Sequence, residues 1–274
     1  MSNSSRVPFF ITIPHSGENI PKEVTWLSSL SEAHLMRDVD RFVDKLYRPV
    51  IDELHLPCVV SPWHRYVIDL NRSPNEFDAD SVEGAAEPSG RHPKGLHWSI
   101  TTLEEPLLRK PMSMDLHQTL LKEYYWPFHN SVQELGESLV QSAGQVFHLD
   151  AHSMPSLGTN LHPDPGQQRA DIVVSDFHGS SCRPEFKEIV MEAYQRAGFE
   201  VAYNWPYVGG GITKKFGRPS ENFHTLQVEL NRKLYMDEKN KSQIHPGFEE
   251  TQAKISTAVT SIYQALEKWI GIGG

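Results

Sequence analysis

Two cysteines, Cys58 and Cys182, in 274 residues leave no material for a disulfide framework or a cysteine-based zinc site. Any metal bound here must therefore take histidine and carboxylate ligands. An excess of basic charge is missing too: 26 Lys and Arg stand against 35 Asp and Glu, a formal net charge of −9. General nucleic-acid binding needs a face of clustered Lys and Arg, so that class is set aside, while a local basic pocket for a small anion remains open. No apolar run approaches membrane-spanning length, and the opening "MSNSSRVPFF" lacks the basic start and long apolar core of a signal peptide. The expectation is a cytoplasmic protein that engages neither nucleic acid nor membrane. Repeats and linker-like stretches are also lacking. What is present, 38% hydrophobic and 10% aromatic residues, describes an ordinary globular chain long enough for one large domain, expected to span residues 1–274. Oligomeric state is left open.

The apolar runs alternate with helical patterns. Strands are expected at 7–13, 57–61, 66–70, 145–150, 171–175, 199–203 and 224–230, with helices within 31–54 and 112–143 and at 184–197 and 247–270. A polar stretch rich in Pro and Gly fills 71–100. Such alternation predicts an α/β fold, a mixed, mostly parallel sheet between two layers of helices. In the helix expected within 31–54, Leu35, Val39, Phe42, Val43, Leu46 and Val50 share an apolar face, with Asp38 and Asp40 at its edges. The closing helix carries Ile255, Val259, Ile262 and Leu266 at helical spacing, which is core packing.

Two strands end in the same way. "VPFFITIPHSG" breaks into Pro14-His15-Ser16-Gly17, and "FHLDAHSMPS" breaks into Asp150-Ala151-His152-Ser153. Ligands of open α/β sheets sit outside the carboxyl ends of strands, so two His-Ser pairs in that context can bring ligands for a metal together. The other histidines, such as His55, His64, His178 and His245, have no such context. A catalytic zinc site takes three protein ligands and keeps one open position. Asp40 and Glu18, the latter in an H-x-x-E spacing with His15, are both available as the third, and Asp38 lies close in sequence. Glu229, inside the apolar run "LQVELNRKLY", is costly in a core unless it is paired, with Arg232 for instance, or faces a site. Beside a zinc-bound water it would serve as general base. Arg65, Arg72, Arg169 and Arg218 all fall in loops and suggest a pocket for carboxylates. The Gly209-Gly210-Gly211 run lacks the phosphate-loop pattern and suggests instead a mobile loop closing over a small substrate.

Taken in order, "PHSG", "DVD", "YVIDLNR", "DAHSM", "GGGITKKFGRP" and "LQVELNRKLYM" resemble the N-formylglutamate amidohydrolase family over about residues 10–238. The resemblance implies a fold similar to zinc carboxypeptidases and one zinc per chain, held by His15, Asp40 and His152. It implies Glu229 as general base, Arg218 as oxyanion contact, and Arg65, Arg72 and Arg169 as substrate-binding residues. The implied reaction is hydrolysis of N-formyl-L-glutamate to formate and glutamate, a step of histidine degradation. The alternatives on the same fold are a zinc peptidase or amidase acting on another N-acyl amino acid or peptide, and a non-catalytic binding protein.

Overall fold

The computed structural model describes residues 7–86 and 92–271; residues 87–91 of the Pro- and Gly-rich stretch lie outside the described residues. In chain order the main elements are β1 (Phe9–Ile13), α1 (Glu32–Leu35), α2 (Val43–Glu53), β2 (Cys58–Val60), α3 (Met114–Leu120) and α4 (Trp126–Ala143). There follow β3 (Val146–Met154), β4 (Ile172–Ser175), α5 (Pro184–Arg196), β5 (Val201–Tyr203) and α6 (Gly211–Phe216). The chain closes with β6 (Phe223–Asn231), the short hairpin strands β7 (Met236–Asp237) and β8 (Ser242–Gln243), and α7 (Gly247–Trp269).

Six strands form one sheet in the order β2-β1-β3-β6-β4-β5, every pairing parallel except β6 with β4. Alternation along the strands divides the core. Phe9, Ile11, Phe147, Leu149, Leu226 and Val228 meet α2, α5 and α7 on one face. On the other, Phe10 and Phe223 meet α4, α6 and the long segment after β2. The result is a mixed, mostly parallel sheet between helices, the three-layer architecture expected. No helix among the described residues is long and apolar enough to cross a membrane.

Three local differences bear on function. The helix expected within 31–54 is broken between α1 and α2: Phe42 takes a left-handed conformation (φ 72°), and Asp40 N–H donates to His15 O at 3.0 Å. A tertiary contact to the β1 terminus overrides the helical pattern there. Residues 66–70 form turns rather than a strand, with Val67 N–H bonded back to His64 O, while Tyr66, Val67, Ile68 and Leu70 fill the second core. Strand β3 runs past its expected end at 150, because β6 pairs with it as far as Met154 opposite Asn231. His152 is therefore a strand residue.

Candidate active site

Period two in β3 puts His148, Asp150 and His152 on the face opposite Phe147, Leu149 and Ala151. The same rule aligns Gln227 and Glu229 on β6, and the register places Asp150 beside Gln227 and His152 beside Glu229. His15 follows β1 in a loop pressed against the next crossover. A Cβ on Gly17 would fall 2.3 Å from the Pro62 carbonyl carbon, so only glycine allows that approach. The Asn19 N–H bond to Pro62 O (3.0 Å) fastens the loop there.

These elements bring His15, Asp40 and His152 together, all buried, with potential ligand atoms within 4.8 Å of one another. Asp40 Oδ2 lies 3.0 Å from His152 Nδ1 and 3.7 Å from His15 Nδ1. The second ring nitrogens rest against carboxylates: His15 Nε2 lies 2.9 Å from Asp69 Oδ1, and His152 Nε2 lies 2.8 Å from Asp150 Oδ2. Both imidazoles thus turn Nδ1 toward Asp40. His15 Nδ1 is buried without a hydrogen-bond partner, an arrangement a cation would satisfy. Burial opposes charge on Asp40, yet His15, His152 and Arg232 hold its carboxyl well below the usual range. Burial likewise opposes charge on His152, but Asp150 and Asp40 push its imidazole well above its ordinary value. The neighbourhood draws positive charge, and two nitrogens with one carboxylate form a donor set suited to a divalent metal.

Glu18, the alternative offered by the H-x-x-E spacing, is exposed and pairs with Arg41 Nε at 2.7 Å. Asp38 is buried but occupied, accepting from Tyr66 Oη and Thr102 Oγ1, each at 2.5 Å. Neither belongs to the cluster. Asp40 also receives Arg232 Nη2 at 2.9 Å, so the guanidinium that could have neutralised Glu229 serves Asp40 instead. Glu229 accepts Gln227 Nε2 at 2.9 Å and is pushed upward, mainly by burial and then by the charge of Asp40.

A cavity of about 460 Å³ opens onto the triad and Glu229 and is lined also by Arg65, Arg72, Lys94, Tyr207 and Lys214. The four sequence-read arginines fare differently. Arg65 reaches the cavity with its charge engaged, Nη2 on Asp69 Oδ2 at 2.8 Å and its guanidinium over the Trp98 ring at 4.6 Å. Arg72 lines the cavity. Arg169 is gripped by both oxygens of Asp164 (2.7 and 2.8 Å) and supports the wall through Tyr207 Oη (2.9 Å). Arg218 is elsewhere. It pairs with Glu221 at 3.2 Å and lies over the Phe223 ring, six residues before Glu229, on the order of 20 Å along the strand. The short turn into β6 fixes it at the strand's opposite end, which removes it from the oxyanion role.

The glycine run also differs from expectation. A Cβ on Gly210 would fall 2.3 Å from the Asn71 amide nitrogen, so the close approach it permits is to protein. Gly210 N–H donates to Gln227 Oε1, Gly211 N–H to Asn71 O and Ile212 N–H to Asn71 Oδ1, each at 2.9 Å. The segment is docked on Asn71 and starts α6. Asp69, Asp150, Gln227, Asn71 and Lys94 are the site residues that sequence reasoning passed over. For Asp150 and Gln227 the signal was available in the alternations H-x-D-x-H and Q-x-E.

The sequence profile described as N-formylglutamate amidohydrolase matches residues 7–236, the span that holds every residue of this site. Two proteins named N-formylglutamate deformylase are similar, one from Pseudomonas putida at 28% identity over 239 residues and one from Pseudomonas aeruginosa at 29% over 238. The matches cover 86% and 85% of this chain and 84% of each relative. The crystal structure of N-formylglutamate amidohydrolase from Ralstonia eutropha aligns with a TM-score of 0.84 at 27% identity, over 96% of this chain and 95% of that one. A protein from Agrobacterium tumefaciens shares the fold, with a TM-score of 0.68 at 16% identity over 98% and 94% of the two chains.

Proposed function

The chain belongs to the N-formylglutamate amidohydrolase family, and on that footing we propose that it is a zinc-dependent deformylase, one catalytic unit over residues 1–274, that hydrolyses N-formyl-L-glutamate to formate and L-glutamate. The proposal carries with it a cytoplasmic place in histidine degradation. His15, Asp40 and His152 would hold the zinc, which when bound supplies Lewis acidity to the scissile carbonyl and lowers the pKa of water.

The other roles fall to the protein's own groups. Glu229, close to the triad but not one of its three members, takes a proton from the attacking water. The C–N bond breaks as Glu229 passes that proton to the leaving nitrogen, so formate keeps the water oxygen and glutamate leaves as the amine. Gln227 Nε2 donates to Glu229 Oε1 and fixes it. Cations lining the cavity receive the substrate carboxylates. The observation that carries the reading is the placement of a buried carboxylate beside His152 on the next strand, in a cavity lined also by Arg72, Lys94 and Lys214.

The test is formate release from N-formyl-L-glutamate by purified protein before chelation, after chelation and after zinc is restored. Activity that disappears and returns with zinc supports the proposal. Activity untouched by complete metal removal overturns the zinc part, and absence of formate from the zinc-loaded protein overturns the substrate.

A further inference from the structure

Charge pairing around the cavity isolates a small group of cations. Arg65 is matched by Asp69, Arg232 by Asp40, and Arg169, behind the wall, by Asp164. Three lining cations have no carboxylate at ion-pair distance among the described residues: Arg72, Lys94 and Lys214. The Lys214 ammonium stands over the Phe177 ring at 5.9 Å. Arg72 and Lys94 are held side by side, because Arg72 Nε donates to Lys94 O at 2.9 Å and Nη1 to Asn71 O at 3.0 Å. These bonds fix the guanidinium and leave Nη2 without a protein partner among the described residues.

Two neighbouring, part-buried cations with no carboxylate at ion-pair distance among the described residues are unfavourable by themselves. Burial, and after it the charge of Arg72, holds the Lys94 ammonium below its ordinary range. An anion arriving from solvent would relieve both costs. Position says which anion. Arg72 follows Asn71, whose amide nitrogen lies 3.4 Å from His152 Nε2, and Lys94 joins the site through Arg72, with no bond of its own to the triad among the described residues. With the formyl group of a substrate at the triad, the side-chain carboxylate of glutamate is the charge farther from the scissile bond.

Resting on the function proposed above, we infer that Lys94, together with Arg72, seats the side-chain carboxylate of the N-acyl dicarboxylic amino acid and is a specificity-determining residue. A lysine has the flexible stem to reach such a carboxylate, and Arg72 presents a planar donor beside it. The pairing predicts a preference for glutamate over its amide, which would leave both cations unmatched.

The experiment uses the metal-loaded protein, Lys94→Met and Lys94→Arg, with thermal melting to check that each is folded. Calorimetry measures binding of the products L-glutamate and L-glutamine, and kinetics compares N-formyl-L-glutamate with N-formyl-L-glutamine. The unmodified protein should favour the glutamate compound of each pair by roughly thirtyfold to a hundredfold. Lys94→Met should reduce that ratio to within about threefold, and Lys94→Arg should restore most of it. Equal binding of glutamate and glutamine by the unmodified protein, or a ratio unchanged in Lys94→Met, overturns the inference. Selective, Lys94-dependent glutamate binding without turnover of either formyl compound would sink the proposed reaction and leave the seat standing.

Discussion

His152 Nε2 lies 2.8 Å from Asp150 Oδ2, two residues back on the same face of β3, and this contact turns Nδ1 toward Asp40. Asp150 is itself held, since Thr12 Oγ1 donates to its Oδ1 at 2.5 Å across the β1–β3 pairing. Asp69 Oδ1 lies 2.9 Å from His15 Nε2, the corresponding carboxylate of the second histidine. Both histidines are thus oriented by carboxylates that lie outside the triad, an arrangement that fixes the tautomer and strengthens the ligand.

Asp150→Asn keeps the shape of that carboxylate and removes its charge. Zinc affinity, measured by competition with a chromophoric chelator, should fall by roughly tenfold to a hundredfold while the fold persists. Unchanged affinity would reduce Asp150 to a buried packing residue. His152→Ala should lose the metal altogether, and Glu18→Ala should keep it, because Glu18 serves Arg41 at the surface.

Glu229→Gln retains size and removes the proton acceptor. Zinc content should be unaffected while kcat falls by roughly two to four orders of magnitude. Protonation of Glu229 removes the acceptor, so activity should grow as pH rises through the acidic limb of the rate profile and Glu229→Gln should lose that limb. Near-normal turnover in the variant would make Glu229 structural, and zinc loss would make it a ligand.

Arg218→Ala tests a correction. The side chain is half-exposed, paired with Glu221 and remote from Glu229. Exposed ion pairs contribute about 0–1 kcal/mol, so the variant should fold and keep kcat/KM within about threefold. A drop of a hundredfold would return Arg218 to the site.

The histidines of the site were legible because each ends or approaches the end of a strand and is followed by serine, a context that period and composition expose. The mixed, mostly parallel sheet between helix layers followed from alternation as well, whereas the order of its strands did not. Asp69 was hidden because residues 66–70 carry a strand-like apolar pattern, while the chain there turns to fill the second core and points its one carboxylate at His15. The break that frees Asp40 from a helix depends on a bond to His15 O, a contact between distant segments that no local window contains. Lys94 was unreadable for the same reason: in a polar stretch every lysine looks solvated, and only the packing of Arg72 against its carbonyl shows otherwise. Arg218 sits in a recognisable motif, but the turn before β6 decides where that motif points.

Acid should destabilise this fold through buried histidines outside the triad. His129 is sandwiched between Tyr125 and Phe216, with Nε2 bonded to Leu70 O at 2.9 Å, and burial pushes its pKa down to about 3. His148 and His64 are pushed down to about 4, again mainly by burial. Each stays neutral in the folded protein, whereas the unfolded chain takes up the proton near pH 6.5. A depressed folded pKa of this kind contributes stability that is fully present above about pH 6.5 and is lost as pH falls toward 3 to 4. At pH 5 His129 alone should cost on the order of 2 kcal/mol relative to pH 7.5. Urea unfolding at the two pH values measures the loss. His129→Gln, which can keep a donor to Leu70 O but cannot titrate, should show a smaller drop between pH 7.5 and pH 5 than the unmodified protein. An equal drop in the two proteins would mean that His129 is solvated or already charged in the folded state.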